Sequence, residues 1–299
     1  MANTTKLIDG NQIAKEVREE LREKIERLKQ EQGVTPCLSV ILVGDRGDSA
    51  TYVRMKQRNA ELLGMAFRLV SRPTDVTQDE LLQLVDELNE DPLVHGLIVQ
   101  LPLPAHIDEA AVVTRVAYNK DVDGFHATNM GNLALKGREA LFEPCTARGV
   151  LELLRRSNVT IRGRNAVVVG RSNIVGIPTA LLLLHENATV TICHSQTDDL
   201  PAKIATADIL VAAVGRARFI EASWLKPGVV VIDVGTNSVP DATKKTGYSL
   251  VGDVDFQSAV EQNIPSLITP VPGGVGPMTV AILLQNTVKS AYRFAGQKL

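Results

Sequence analysis

The chain has 299 residues, 44% hydrophobic and 22% charged, the profile of a soluble globular protein with one large or two ordinary domains. Its 32 Lys+Arg against 34 Asp+Glu leave a net charge of −2 with no basic block, which argues against nucleic acid as a partner. No apolar run is as long as a membrane span. No CxxC or histidine pair has metal-ligand spacing, so no metal is expected. The opening MANTTKLIDG lacks the basic and apolar regions of a signal peptide. Cys37, Cys145 and Cys193 are odd in number and far apart, which suits a reducing compartment and a cytoplasmic protein.

In chain order, Asp9 and Gln12 give a capping-box-like start to a helix whose apolar stripe is Ile13, Val17, Leu21, Ile25 and Leu28. CLSVILVG (37–44) reads as a buried strand. A helix is predicted from Ser49 to Leu63, stopped by Gly64, and another from Gln78 to Asn89. Strand GLIVQ (96–100) follows, then a helix over Asp108 to Tyr118. This alternation predicts a parallel α/β sheet. A helix from near Thr146 leads to a second α/β unit, with strands in NAVVVG (165–170), ATVTIC (188–193), DILVAAVG (208–215) and VVVIDVG (229–235). The apolar helical pattern after Pro277 is expected to return to the first domain. The predicted division is residues 1–147 plus 277–299 as a discontinuous catalytic domain, and 148–276 as a nucleotide-binding domain.

VVVGRSNIVGIP places a glycine turn directly after an apolar strand and before a helix, the setting a dinucleotide turn requires. The spacing is GxSxxxG, at Gly170, Ser172 and Gly176. An NAD site usually ends its next strand with Asp or Glu to bind the ribose 2′-hydroxyl. Here that strand ends in Cys193, His194 and Ser195, with no carboxylate, and Arg171 sits in the turn. A cation and a hydroxyl suit a 2′-phosphate, so NADP is favoured over NAD. His194 reads equally as a hydrogen-bonded surface histidine and as a cofactor contact.

Ser49, Tyr52 and Lys56, at i, i+3 and i+7, share one helix face. A lysine accepts a proton only if burial or a nearby cation lowers its pKa from about 10.4. On a helix that also carries Arg54 and Arg58, a solvated basic face is the competing reading. QLPLP puts Gln100 at the end of a buried strand, where ligands of α/β sheets gather. KDVDGF puts Asp121 and Asp123 in a turn; local turn hydrogen bonding is the favoured reading for Asp121, less so for Asp123. TPVPGGVGPMT (269–279) is a stiff loop whose glycines let backbone approach a ligand.

DSATYVRMK, VQLPLP, KDVDGF, VVVGRSNIVGIP, CHSQT, GDVDF and TPVPGGVGPMT occur here in the order seen in bifunctional methylenetetrahydrofolate dehydrogenase/cyclohydrolases, and the chain resembles that FolD-type family from about Leu7 to Arg293. The resemblance implies two α/β domains, the second Rossmann-like and NADP-binding, with a folate cleft between them, in a homodimer. It implies NADP-dependent oxidation of 5,10-methylenetetrahydrofolate to the methenyl cation, then hydrolysis to 10-formyltetrahydrofolate, in one-carbon metabolism that serves purine synthesis. The substrate is expected to be polyglutamylated. Lys56 is the implied central catalytic residue, with Gln100 orienting it, Tyr52 stacking on the folate and Asp123 binding the pterin. Val99, Leu101, Pro270, Val271, Pro272, Gly273 and Gly274 complete the expected substrate contacts. Gly170, Arg171, Ser172, Ile174, Val175, His194, Ser195, Gly215, Gly235 and Thr279 are the expected cofactor contacts. Cys145 reads as a packing residue. Two departures stand out: the family's PCTP is PCTA here, at Ala147, and a usual proline is Ala217. Competing readings are a monofunctional dehydrogenase, a shikimate-type dehydrogenase and a catalytically silent NADPH-binding protein.

Overall fold

A computed structural model describes residues 4–45, 47–244 and 246–297. The chain forms two compact units. One comprises the described residues up to Ala14 together with Thr146–Thr279; the other comprises Lys15–Cys145 together with the described residues from Val280 onward.

In chain order the elements begin with β1 (Lys6–Leu7), α1 (Gly10–Gln32), β2 (Cys37–Val43), α2 (Gly47–Leu62), β3 (Ala66–Arg72), α3 (Gln78–Glu90), β4 (Gly96–Val99), α4 (Glu109–Arg115) and α5 (Ala127–Ala134). They continue with α6 (Cys145–Arg156), β5 (Asn165–Val169), α7 (Gly176–His185), β6 (Thr189–Cys193), α8 (Leu200–Ile204), β7 (Ile209–Ala212), β8 (Val230–Asp233), β9 (Asn237–Pro240), β10 (Tyr248–Val251), α9 (Phe256–Glu261), β11 (Leu267–Ile268) and α10 (Val275–Phe294).

The unit holding Lys15–Cys145 is built on a parallel sheet in the order β3-β2-β4. Every residue of β2 is buried, as expected of a strand covered on both faces. The sequence reading missed β3, because Arg68, Ser71 and Arg72 break its apolar run at the sheet edge. The stripe Val17, Leu21, Ile25 and Leu28 of α1 is buried. Helix α3 starts in a capping box: Thr77 Oγ1 accepts from Glu80 N at 3.3 Å, and Glu80 Oε2 accepts from Thr77 N at 2.9 Å. It buries Leu81, Leu84, Val85 and Leu88 against the sheet's core.

The unit holding Thr146–Thr279 carries a six-stranded parallel sheet in the order β1-β11-β8-β7-β5-β6. Pairing of β1 with β11 places the start of the chain in this unit. A core of Val167, Val169, Leu210, Val231, Ile268 and their neighbours fills it. The antiparallel pair β9 and β10 stands apart as a hairpin. Parallel strands present their carboxyl ends along one edge, and there the loops after β5, β6, β7, β8 and β11 emerge. No helix among the described residues is long and apolar enough to cross a membrane. The three cysteines are buried and free.

Candidate functional site

In the Lys15–Cys145 unit, α2 holds Tyr52 and Lys56 one turn apart. Tyr52 is 42% exposed, so part of its side chain is open to stacking. Lys56 is half-buried, and its Nζ donates to Gln100 Oε1 at 3.0 Å. Gln100 follows β4, its backbone N donates to Ile41 O at 2.9 Å, and its Nε2 donates to Leu101 O at 2.9 Å. The second amide bond leaves only the carbonyl oxygen for the lysine, so Gln100 fixes where the ammonium points. Arg54 and Arg58 on the same helix are exposed. The side chain of Ser49 lies outside the described residues. Val99 is buried in the apolar core, and Leu101 is half-buried beside Gln100.

Asp123 joins this set. Burial pushes its carboxyl above the usual range, while the Lys56 charge and a hydrogen bond from the Cys145 thiol pull it back. Cys145 is driven well above an ordinary thiol, first by burial and then by the Asp123 charge. It is therefore a protonated donor, and its Sγ also reaches Val122 O at 3.2 Å. Asp121 is the turn residue its position suggests. Its oxygens accept from Phe125 N at 3.2 Å, His126 N at 2.8 Å and Asn129 Nδ2 at 2.7 Å. Burial dominates and raises it to about 6, with those bonds opposing. Gly124, at φ +78°, lets the turn pass the Phe142–Pro144 backbone, where a Cβ would sit 2.7 Å from Glu143 C.

Asn286 of α10 was not foreseen. Its Nδ2 donates to Val122 O at 2.8 Å and to Glu143 O at 3.3 Å, clipping the Asp123 turn to the adjoining Phe142–Pro144 segment. A buried asparagine in the apolar run VAILLQNTV was the available signal.

In the Thr146–Thr279 unit, the turn after β5 is shaped by close backbone approach. A Cβ on Gly170 (φ +127°) would lie 2.1 Å from Ala213 O, and one on Gly176 would lie 2.3 Å from Gly170 O. Ser172 Oγ accepts from Val175 N at 3.2 Å and Gly176 N at 3.3 Å at the start of α7. Arg171 is exposed, Ile174 is 43% exposed and Val175 half-buried. After β6, His194 Nδ1 accepts from Gln196 N at 3.2 Å, so the neutral ring carries its proton on Nε2. Ser195 is exposed. The nearby Asp199 side chain is occupied as the cap of α8, accepting from Ala202 N. Gly215 and Gly235 lie after β7 and β8; each donates its N–H to a buried carboxylate, Asp253 at 3.0 Å and Asp233 at 2.9 Å. Thr279 Oγ1 lies 3.2 Å from Thr146 Oγ1 and 3.3 Å from Val275 O. A turn too tight for a Cβ, a helix start, an exposed Arg171 and no carboxylate directly at the end of β6 fit a phosphorylated dinucleotide.

The loop Pro270–Gly274 follows β11 in this same unit. Asn11 N donates to Gly273 O at 3.2 Å, and a Cβ on Gly10 would fall 1.8 Å from Gly274 O. The structure thus brings Tyr52, Lys56, Gln100 and Asp123 together in one unit and sets the Pro270–Gly274 loop in the other.

These features define a class: an α/β protein with a dinucleotide-type turn in one unit and a lysine, amide and carboxylate set in the other. Residues 144–295 match the tetrahydrofolate dehydrogenase/cyclohydrolase NAD(P)-binding domain, and residues 8–123 match the catalytic domain of the same name. Bifunctional protein FolD 2 of Arabidopsis thaliana is 53% identical over 295 residues, covering 99% of this chain and 98% of its own. Bifunctional protein FolD of Bacillus subtilis is 52% identical over 290 residues, covering 97% and 99%. The solved methylenetetrahydrofolate dehydrogenase-cyclohydrolase (FolD) of Trypanosoma brucei, in complex with NADP cofactor and inhibitor, superposes with a TM-score of 0.92 at 44% identity, covering 97% and 98%. The chain belongs to the tetrahydrofolate dehydrogenase/cyclohydrolase family.

Proposed function

We propose that Lys56, Gln100, Asp123 and Tyr52 carry both steps of a bifunctional folate enzyme: NADP-dependent oxidation of 5,10-methylenetetrahydrofolate to the methenyl cation, then its hydrolysis to 10-formyltetrahydrofolate. The observation that carries this reading is the 3.0 Å bond from Lys56 Nζ to Gln100 Oε1, with Asp123 within the lysine's electrostatic reach. NADP+, when bound, accepts the hydride from the methylene carbon. In the hydrolysis a water oxygen bonds to the methenyl carbon, the carbon–N5 bond breaks, N5 takes one proton and the other leaves the site. Lys56, aimed by Gln100, assists as base or hydrogen-bond donor. Asp123 accepts from the pterin amino group and ring N–H, a two-point match for a carboxylate. Tyr52 stacks on the folate ring, and backbone at Val99, Leu101 and Pro270–Gly274 contributes contacts.

Gly170, Arg171, Ser172, Ile174, Val175, His194, Ser195, Gly215, Gly235 and Thr279 are assigned to the nucleotide, with Arg171 and Ser195 on the 2′-phosphate. By ligand, residues 1–147 and 277–299 are assigned mainly to the folate and 148–276 mainly to the nucleotide, with Pro270–Gly274 and Thr279 crossing that division; by packing, the described residues up to Ala14 lie in the unit that holds the nucleotide turn. The same reading extends to a cytoplasmic homodimer acting on polyglutamylated folate, with product drawn into purine synthesis. The test is a paired assay of methylenetetrahydrofolate with NADP+ or NAD+, and of methenyltetrahydrofolate alone, against Lys56→Met. NADP+-dependent reduction with Lys56-dependent hydrolysis is expected. Reduction without enzymatic hydrolysis would leave a monofunctional dehydrogenase.

A further inference from the structure

Asp253, in the GDVDF segment between β10 and α9, is fully buried and has no part in the chemistry above. Its carboxylate accepts from three consecutive backbone N–H groups: Val214 at 2.5 Å, Gly215 at 3.0 Å and Arg216 at 2.9 Å. Successive amides converging on one point form an anion-binding concavity, and here a carboxylate of the chain itself fills it. A fourth donor, Asn237 Nδ2, reaches the same side chain at 2.9 Å.

Asp253 is itself held from behind. Its backbone N donates to Asp233 Oδ1 at 3.0 Å, and Asp233 also accepts from Gly235 N and, at 2.8 Å, from Val254 N. Asp233 N in turn donates to Thr269 Oγ1 at 2.8 Å. The two aspartates, by carboxylate and by the backbone N of Asp233, thus tie together the carboxyl ends of β7, β8 and β11. The packing leaves no room for a side chain at the adjoining glycines: a Cβ on Gly235 would lie 2.3 Å from Asp253 Oδ1, and one on Gly252 2.0 Å from Asp233 Oδ2. Beyond the turn the segment has its own anchor, since the Arg216 guanidinium sits 4.3 Å over the Phe219 ring, which packs edge-on against Trp224. Val214 packs its side chain against the core of the unit, but its backbone N–H and that of Gly215 are both held by Asp253.

We propose that Asp253 is a positioning residue for the nicotinamide nucleotide, setting the backbone of Val214–Arg216 in the shape that receives the cofactor. The proposal rests on the assignment of the nucleotide to the strand ends of this unit. Asparagine at position 253 keeps the size but replaces one acceptor oxygen with a donor, so at least one loop N–H faces another N–H.

The experiment measures the KM and Kd of NADP+, and the hydrolysis of methenyltetrahydrofolate in the absence of nucleotide, for the wild-type protein, Asp253→Asn and Asn237→Ala. For Asp253→Asn the NADP+ KM and Kd rise about tenfold, as for loss of a charge-assisted bond, while kcat at saturating NADP+ and nucleotide-free hydrolysis stay within about twofold. Asn237→Ala removes the lateral restraint on Asp253 together with a weak 3.4 Å bond to Val251 O and shifts the same constants in the same direction by less, about threefold; it decides the matter if Asp253→Asn does not fold. Unchanged NADP+ constants in the folded variants overturn the proposal, as does an equal fall in both activities, which marks a general structural role. A wild-type protein that binds no NADP+ overturns instead the cofactor reading beneath it.

Discussion

The two units prepare their ligand-facing surfaces by different means. In the Lys15–Cys145 unit, the proposed chemistry sits in side chains: an ammonium aimed by an amide, a half-buried carboxylate and an exposed phenol ring. In the Thr146–Thr279 unit it sits in backbone: glycines where no Cβ fits, a helix start and a row of amides held by Asp253. Both share one device. A buried carboxylate collects main-chain N–H groups just behind the working loop, Asp121 in the first and Asp253 with Asp233 in the second. The contrast suits the ligands assigned to each. Proton transfer needs a group that can hold a proton, whereas a phosphate-bearing nucleotide can be recognised by N–H dipoles alone.

The largest expected effect breaks the chemistry of the first unit and leaves its packing intact. Lys56→Met should cut methenyl hydrolysis by about 10²- to 10⁴-fold, the range for a lost proton-transfer group. Melting should shift little, because the lysine is half-buried and bonded only at its tip. A folded variant that retains full hydrolysis removes Lys56 from the mechanism.

Gly170→Ala is the counterpart in the second unit. The new methyl would meet Ala213 O at 2.1 Å, at φ +127°, so strand or turn must move. A loss of about 3 kcal/mol in unfolding free energy is expected, with NADP+ affinity falling in parallel. By contrast, Tyr52→Ala at an exposed site should change stability by only about 0.5 kcal/mol while weakening folate binding. Denaturant titration beside ligand titration separates the two. If Gly170→Ala left both constants untouched, the claim that backbone approach builds the nucleotide site would fall.

The side-chain half of this comparison was readable from sequence. Lys56, Gln100 and Asp123 each stood on a helix face, a strand end or a turn whose position their neighbours announce, and the structure brings them together. The backbone half was only partly readable. Gly170 and Gly176 marked a turn, but the amides at 214–216 and the carboxylate at Asp253 are separated by 37 to 39 positions, and nothing local links them. Strands β1 and β11 are two residues each and carry no periodic signal, so the pairing that puts the chain's start into the second unit was invisible. Strand β3 was hidden by the arginines of an edge strand.

The shared carboxylate device predicts a pH signature in both units. Burial raises folded Asp233 to about 7 and Asp121 to about 6, above the ordinary 3.8. The folded state therefore holds these protons more tightly than the unfolded chain. Their stabilising contribution is complete below the unfolded pKa and is lost as pH rises through the folded one. Wild-type stability relative to Asp233→Asn should fall between about pH 4 and pH 7, and relative to Asp121→Asn between about pH 4 and pH 6. The slope is at most about 1.4 kcal/mol per pH unit for one proton. Parallel curves for wild type and variant across these windows would show that the carboxyl is ionised throughout.

Asn286 sharpens the comparison from the other side, because it is backbone support inside the side-chain unit. Its amide holds Val122 O and Glu143 O, and Val122 O keeps a second donor in the Cys145 thiol, whose one proton it shares with Asp123. Asn286→Leu therefore leaves one carbonyl partnered and costs about 1–2 kcal/mol for the lost buried bonds. The turn beside Asp123 loosens rather than collapses. The expected result is a severalfold rise in the folate KM for hydrolysis, a smaller change in kcat and no change in the Kd of NADP+, measured by nucleotide titration without folate. Asp253→Asn should show the reverse pattern. Two variants that each disturb only one ligand would establish that the two units prepare their ligands independently. A shift of both constants by Asn286→Leu would instead show that α10 transmits the state of the Asp123 turn to the nucleotide.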